Sequence, residues 1–188
     1  MSTGLIVLLV VVALVIIIAL WLISSYNRFV KGRNKAEEAF STMDVYLKKR
    51  FDLIPNVVET VKGYAGHEQE TLEKVIQARQ GISSAATEEE RLAQENQLTG
   101  TLRTLFAVAE AYPDLKANTN FMNLQNQLTS IENDIANARK YYNAVVRDFN
   151  TSIESFPSNL IAGMFRFKRL TPYEVSSTEE RENVKVQF

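Results

Sequence analysis

Few side chains in this 188-residue chain have a type and spacing suited to chemistry. His67 is the only histidine and cysteine is absent, so the usual nitrogen and sulfur set for zinc cannot be assembled. His67-Glu68 is followed by Gln69-Glu70-Thr71, which lacks the second histidine of the helical zinc-protease motif. A corner histidine bonded to helix-end groups is the simpler reading. No nucleophile elbow, phosphate-binding loop or dinucleotide glycine pattern is present. Thr87 followed by Glu88-Glu89-Glu90 reads as a capping box, with the acidic residues favoured by the helix dipole rather than gathered as metal ligands. Asn123, Asn126, Asn133, Asn137, Asn143 and Asn150 read as polar helix surface. The inventory points away from an enzyme: no catalytic residue, metal, cofactor or small-molecule substrate is expected. The charge that stands out is Arg50. It occupies a position where a helical seam expects an apolar side chain, so it must pair or reach solvent past its own helix, because a charge buried alone is costly.

The element that positions everything else is the apolar run Leu5 to Ile23, unbroken by charge and ending near the only tryptophan, Trp21. One helix of this length covers about 30 Å of hydrocarbon with every backbone group bonded internally. A cleaved signal peptide is disfavoured by the lack of Lys or Arg in Met1-Ser2-Thr3-Gly4, the long apolar core and the poor site at Ser24-Ser25-Tyr26. Leu5, Leu14, Trp21, Ile23 and Tyr26 mark the expected anchor, with Trp21 and Tyr26 at interfacial depth. Arg28, Lys31, Arg33 and Lys35 follow closely. By the positive-inside bias they place the N-terminus outside and the remainder in the cytoplasm, where they can meet anionic headgroups.

Composition narrows the partners. Lys+Arg 21 against Asp+Glu 22 gives a net charge of -1, which argues against nucleic acid, since neutralising phosphates needs a basic excess. Without cysteine there are no disulfides, which suits a reducing compartment. Four prolines and seven glycines leave long intervals open to helix.

The helical pattern continues beyond the anchor. Tyr26, Phe29, Arg33, Ala36, Phe40, Met43, Leu47, Arg50, Ile54, Val57, Val61 and Tyr64 recur at steps of three and four, so one helix is expected from the membrane outward, its soluble part about 58 Å long at 1.5 Å per residue. Pro55 lacks an N–H and crowds the carbonyl of Phe51, which predicts a kink. Gly63 and Gly66 end this helix. A second carries Leu72, Val75, Ile76, Arg79 and Ile82. A third begins at Thr87, carries Leu92, Leu98, Leu102, Leu105, Phe106 and Ala109, and stops at Tyr112-Pro113. Whether Ser83 to Thr87 is a kink or a turn is open. The fourth helix, capped by Asn118 or Thr119, has the cleanest seam, from Phe121 through Leu128, Ile135, Tyr142 and Phe149 to Phe156, with Pro157 ending it. If the first and fourth helices run antiparallel with Phe156 near Tyr26, Arg50 falls near Glu132; a parallel pair would bring it level with Tyr142. The antiparallel case, with an Arg50–Glu132 contact within one chain or between chains, is the prediction. The segment Leu160 to Arg169 mixes apolar and basic residues. It can cap the bundle, lie on the membrane or meet a neighbouring subunit, with packing favoured; Phe165, Arg166, Phe167, Lys168 and Arg169 are the candidate lipid or subunit contacts. Val184 to Phe188 alternates like a short strand.

Several separated motifs occur in an order that resembles the LemA family. They are Tyr26-Asn27, Asp44-Val45, Lys48-Lys49-Arg50-Phe51-Asp52-Leu53-Ile54-Pro55-Asn56, Val61-Lys62-Gly63-Tyr64-Ala65 and His67-Glu68. Tyr112-Pro113, Glu132-Asn133, Arg139-Lys140-Tyr141-Tyr142-Asn143, Phe149-Asn150 and Phe156-Pro157 with Ile161-Ala162 complete the set. The resemblance implies an up-and-down helical bundle on an N-terminal membrane helix in a bacterial inner membrane, and brings no agreed activity. A related branch acts in building magnetosome membranes. The combined expectation is an all-α protein: an anchor over 1–25, an elongated antiparallel bundle of three to four helices over 26–156, and an apolar/basic segment with an irregular tail over 157–188. Arg50, Asp52, Pro55, Asn56, His67, Glu68, Glu132, Tyr142, Asn143 and Phe149 are the expected bundle or interface positions. The expected role is a non-enzymatic, membrane-anchored scaffold that self-associates or recruits other membrane proteins; the alternative is a homo-oligomer that shapes or organises membrane. Its expected partners are the lipid bilayer and copies of itself.

Overall fold

One helix, α1, runs from Thr3 to Lys62. Its first third keeps its apolar side chains exposed apart from Leu22, from Leu5 at 44% to Ile23 at 58%, and its most apolar window has a mean hydropathy of 3.6 with none of it buried. It is long and apolar enough to cross a membrane. The computed structural model describes residues 2–65 and 68–173; His67 and the alternating stretch 184–188 lie outside the described residues. After α1 come α2 (Gln69–Ser84), α3 (Glu88–Ala109), α4 (Pro113–Lys116), α5 (Thr119–Glu154) and α6 (Ser158–Met164), with no strand among the described residues.

The described residues divide into two compact units, one of residues 2–41 and 140–172, the other of 42–65, 68–139 and 173. In the second, Ile54, Val57 and Val61 of α1 pack with Leu72, Val75 and Ala78 of α2, Leu98, Leu102 and Leu105 of α3, and Phe121 and Leu128 of α5. All but Ala78 are residues that the three-and-four spacing selects, because only that period keeps a helix face turned to one neighbour. The stretch left open at 83–87 is a turn. α2 and α3 pack side by side, and Tyr112 beyond α3 donates its hydroxyl to Glu68 at the start of α2 at 2.7 Å. Thr87 caps α3, its Oγ1 accepting from Glu90 N at 3.1 Å, while Glu90 Oε2 reaches back to Ala86 N at 2.9 Å. Asn118 caps α5 through Phe121 N at 3.0 Å. The short α4, not anticipated, buries Leu115 completely.

In the first unit Phe29, Phe149, Ile153, Ile161 and Ala162 form a core joined by Leu22, Phe167 and Leu170. Gly32 makes room for it: a Cβ there would lie 3.0 Å from Phe149 Cδ2. Seam assignments are corrected at several positions: Arg33 is exposed, Tyr26 and Ile76 are each 38% exposed, and two more lie at helix ends. Tyr64 is 45% exposed, its hydroxyl accepting from Asn118 Nδ2, and Phe156 is 81% exposed. The first follows from the helix ending at Lys62 and the second from α5 ending at Glu154, since beyond a terminus the period no longer directs a side chain inward. Asn150 also departs from the expected polar surface. It is buried, donating Nδ2 to Leu170 O at 2.8 Å and accepting Leu170 N on Oδ1 at 2.9 Å.

Pro55 lies inside α1 without ending it. Proline removes the N–H that would bond the carbonyl four residues earlier. That carbonyl, Phe51 O, accepts from Arg79 Nε of α2 at 3.3 Å, and the Arg79 guanidinium lies 4.0 Å from the centroid of the Phe51 ring. Arg79→Met should therefore be costlier in the natural background than beside Pro55→Ala, where a restored N–H satisfies Phe51 O. A double-mutant cycle by urea unfolding of the detergent-solubilised chain should give a coupling of about 1 kcal/mol; zero coupling would mean the carbonyl does not depend on Arg79.

Candidate functional site

The second unit contains a buried polar centre. Arg50 has no accessible surface. Its Nη1 donates to Glu132 Oε1 of α5 at 2.7 Å and to Thr99 Oγ1 of α3 at 2.6 Å. Its Nη2 donates to Glu95 Oε2 at 2.5 Å and to Glu95 O at 3.1 Å. The Arg50–Glu132 contact expected from antiparallel α1 and α5 is thus present, within one chain. Solvent escape of Arg50 is not observed. Glu95 was missed, although stepping the α3 stripe back three residues from Leu98 lands on it, and it is 1% exposed. Arg91, four residues earlier, pairs with Asp44 of α1.

Two carboxylates share one guanidinium, so the trio carries a net negative charge when all are ionised. Burial works against the charge on Arg50, but the carboxylates of Glu132 and Glu95 outweigh it and raise its pKa. Burial pushes Glu95 above the ordinary carboxylate value, against the pull of Arg50. Beside the trio, Tyr173 is 1% exposed, with the Arg139 guanidinium 4.2 Å from its ring centroid. Its phenol is raised by burial, with Arg139 and Arg50 pulling the other way. Arg139 Nη2 donates to Asn96 Oδ1 at 3.3 Å. The Nε atoms of Arg50 and Arg139 are buried without an acceptor. The arrangement can hold helices in register.

The first unit presents a surface instead. Tyr26 packs at a tilt against Phe165 with centroids 4.7 Å apart, and Phe167 lies against Tyr26 at 5.8 Å and Phe29 at 5.2 Å. The segment after α5 therefore does cap this unit, through Ile161, Ala162 and Phe167. It also leaves Phe156, Leu160, Met164 and Phe165 exposed, the first three at steps of four. Arg169 pairs with Glu154 at 2.7 Å. Arg166 and Lys168 are exposed or nearly so.

Other expected positions are placed as follows. Leu5, Leu14, Trp21, Ile23 and Tyr26 are exposed on α1, as are Arg28, Lys31, Arg33 and Lys35. Arg33 lies 3.9 Å from Glu37. Asp52 pairs with Lys48 on the exposed face, Asn56 O accepts from Thr60 Oγ1, and Glu68 accepts from Tyr112. Tyr142 donates to Thr171 O at 3.0 Å and packs edge-on to Phe40. Phe149 is core, and Asn143 is half-buried.

A family model described as the LemA family matches residues 39–188. Protein LemA of Metamycoplasma hominis is 26% identical over 157 residues, covering 81% of this chain and 70% of its own. Magnetosome protein MamQ 2 of Paramagnetospirillum magneticum is 25% identical over 174 residues, 79% of this chain and 64% of its own. Magnetosome protein MamQ of Magnetospirillum gryphiswaldense is 23% identical over 175 residues with the same shares. The chain thus spans less than two thirds of the magnetosome relatives it matches.

The buried trio has a pH signature. Glu95 is raised in the folded state, so folding favours its protonated form: that contribution is complete below the unfolded value near 4.5, is lost as pH rises through the folded value, and is absent above it. In urea unfolding, stability relative to Glu95→Gln should fall with rising pH across that window and then level. Arg50→Met at pH 7 should cost about 3–5 kcal/mol by stranding Glu95, and Arg50→Met with Glu95→Leu should recover most of it.

Proposed function

Because the chain belongs to the LemA family, we propose that it is a membrane-anchored, non-enzymatic helical scaffold that self-associates or recruits other membrane proteins at the bacterial cytoplasmic membrane. The observation that carries this reading is the continuity of α1. One backbone hydrogen-bond ladder runs through the exposed apolar run and on into the packed part of the same helix. In this reading the anchor spans once, with the N-terminus outside and the bundle in the cytoplasm, as Arg28, Lys31, Arg33 and Lys35 direct. Confinement to a plane raises the effective concentration of neighbouring bundles, which favours weak lateral contacts that free solution would not sustain. The partners are the bilayer, further copies of the chain and other membrane proteins; nucleic acid and small-molecule substrates are not among them.

A second reading draws on the exposed apolar residues Phe156, Leu160, Met164 and Phe165, and on relatives named as magnetosome proteins. In it the homo-oligomer itself organises or curves the membrane, its apolar rim embedded at headgroup depth. Mass measurement and imaging of the intact particle in detergent test the first reading: a discrete homo-oligomer or a co-purifying membrane partner is expected, and a bare monomer would sink it. Overproduction followed by thin-section imaging tests the second, for which deformed or internal membranes are the expected outcome.

A further inference from the structure

The first unit holds an open cavity of about 560 Å³, within the range of about 300–1,000 Å³ usual for small-molecule sites. α1 lines it with Trp21, Ser25 and Arg28, and α5 with Arg147 and Asp148; Phe156 and Pro157 close one side. Arg28 and Arg147 are exposed, and neither has a carboxylate partner among the described residues. The level of this cavity is set by Trp21, at the end of the apolar run, where amphipathic indoles settle between hydrocarbon and water. Phe156, in its wall, is 81% exposed. We propose that this cavity is a binding site for the phosphodiester headgroup of an anionic phospholipid, taken from the leaflet that surrounds the end of the anchor.

The chemistry selects the occupant. Two guanidiniums against one carboxylate leave the lining with a single positive charge, suited to a singly charged phosphodiester. Arginine offers paired N–H donors matched to phosphate oxygens. Ser25 and Ser155 add hydroxyls to the lining. Trp21 and Phe156 provide an apolar wall on which the upper acyl chain and glycerol can rest while the headgroup faces the arginines. The assignment rests on α1 spanning a bilayer but goes beyond scaffolding, since it gives the chain a preference among lipids.

Trp21, the sole tryptophan, lies in the cavity wall and reports on it directly. The full chain is reconstituted in phosphatidylcholine bilayers containing increasing fractions of brominated phosphatidylglycerol or brominated phosphatidylcholine, and quenching of Trp21 is followed. The natural chain should show association with the anionic lipid about tenfold above that with phosphatidylcholine, reduced to random mixing in Arg28→Gln with Arg147→Gln and retained in Lys31→Gln with Lys35→Gln. Equal quenching by the two lipids, or equal loss in the lysine variant, would overturn the site in favour of none or of diffuse surface charge. Suppression of the preference by millimolar inorganic phosphate would overturn the lipid assignment in favour of free phosphate. Absence of quenching by either lipid would instead place Trp21 outside the bilayer and remove the anchoring on which the assignment rests.

Discussion

A guanidinium with no path to water constrains the helices around it. Arg50 reaches carboxylates on two different helices, Glu95 on α3 and Glu132 on α5, and uses the Thr99 hydroxyl between them. Apolar seams repeating every three and four residues are tolerant of sliding, because a leucine displaced by one heptad meets another leucine. A buried charge is not tolerant of it. Sliding α5 past α1 by a heptad would put Gln125 or Arg139 in the place of Glu132, and sliding α3 one way would put Leu102 in the place of Glu95, so Arg50 would lose a carboxylate at a cost of several kcal/mol. The trio therefore selects one register among several that the apolar residues alone would accept, at the expense of some stability that a fully apolar layer would provide. The second α1–α3 pair, Asp44 with Arg91, repeats that choice toward the edge.

Much of this was legible because helices obey a simple period. The seams of α1 and α5, the Thr87 cap and the Asn118 cap follow from side-chain type and spacing, and Arg50–Glu132 followed from counting residues along two antiparallel helices. Glu95 escaped because it lies among Gln94, Asn96 and Gln97, and a polar run suggests a solvated face until the stripe from Leu98 is extended backward. The turn at 83–87 was undecided, and with it which face of α3 met α1. Tyr64 and Phe156 were misassigned for the opposite reason, since a period continued past a helix end still predicts burial. Asn150 shows a third limit: its amide bonds both the N–H and the C=O of Leu170, a partnership made by chain folding at twenty residues' remove that no local pattern encodes.

The same sequence segments serve different purposes in the two units. In the second, a defect in one helix is repaired by another, as when Pro55 leaves the Phe51 carbonyl to Arg79. In the first, the basic residues Arg28 and Arg147 have no ion pair among the described residues, and the exposed apolar side chains after α5 are not used in the core. A domain in water gains little from displaying Phe156 and Met164. At the edge of a bilayer the same display lowers the free energy of the whole chain, because their apolar surface leaves water without needing a protein neighbour.

The seat that Gly32 leaves for Phe149 has a bearing on that environment. It joins α1 to α5 through shape alone, a ring edge against bare backbone, with no charge or hydrogen bond involved. Near lipid headgroups the local dielectric and ionic strength change steeply over a few ångströms and with lipid composition, and a salt bridge placed there would tighten and loosen with them. Dispersion between a ring and a helix backbone is almost indifferent to such changes. With the apolar run in a bilayer, as proposed, this joint beyond its end rests on a kind of contact that a fluctuating electrostatic medium cannot easily weaken.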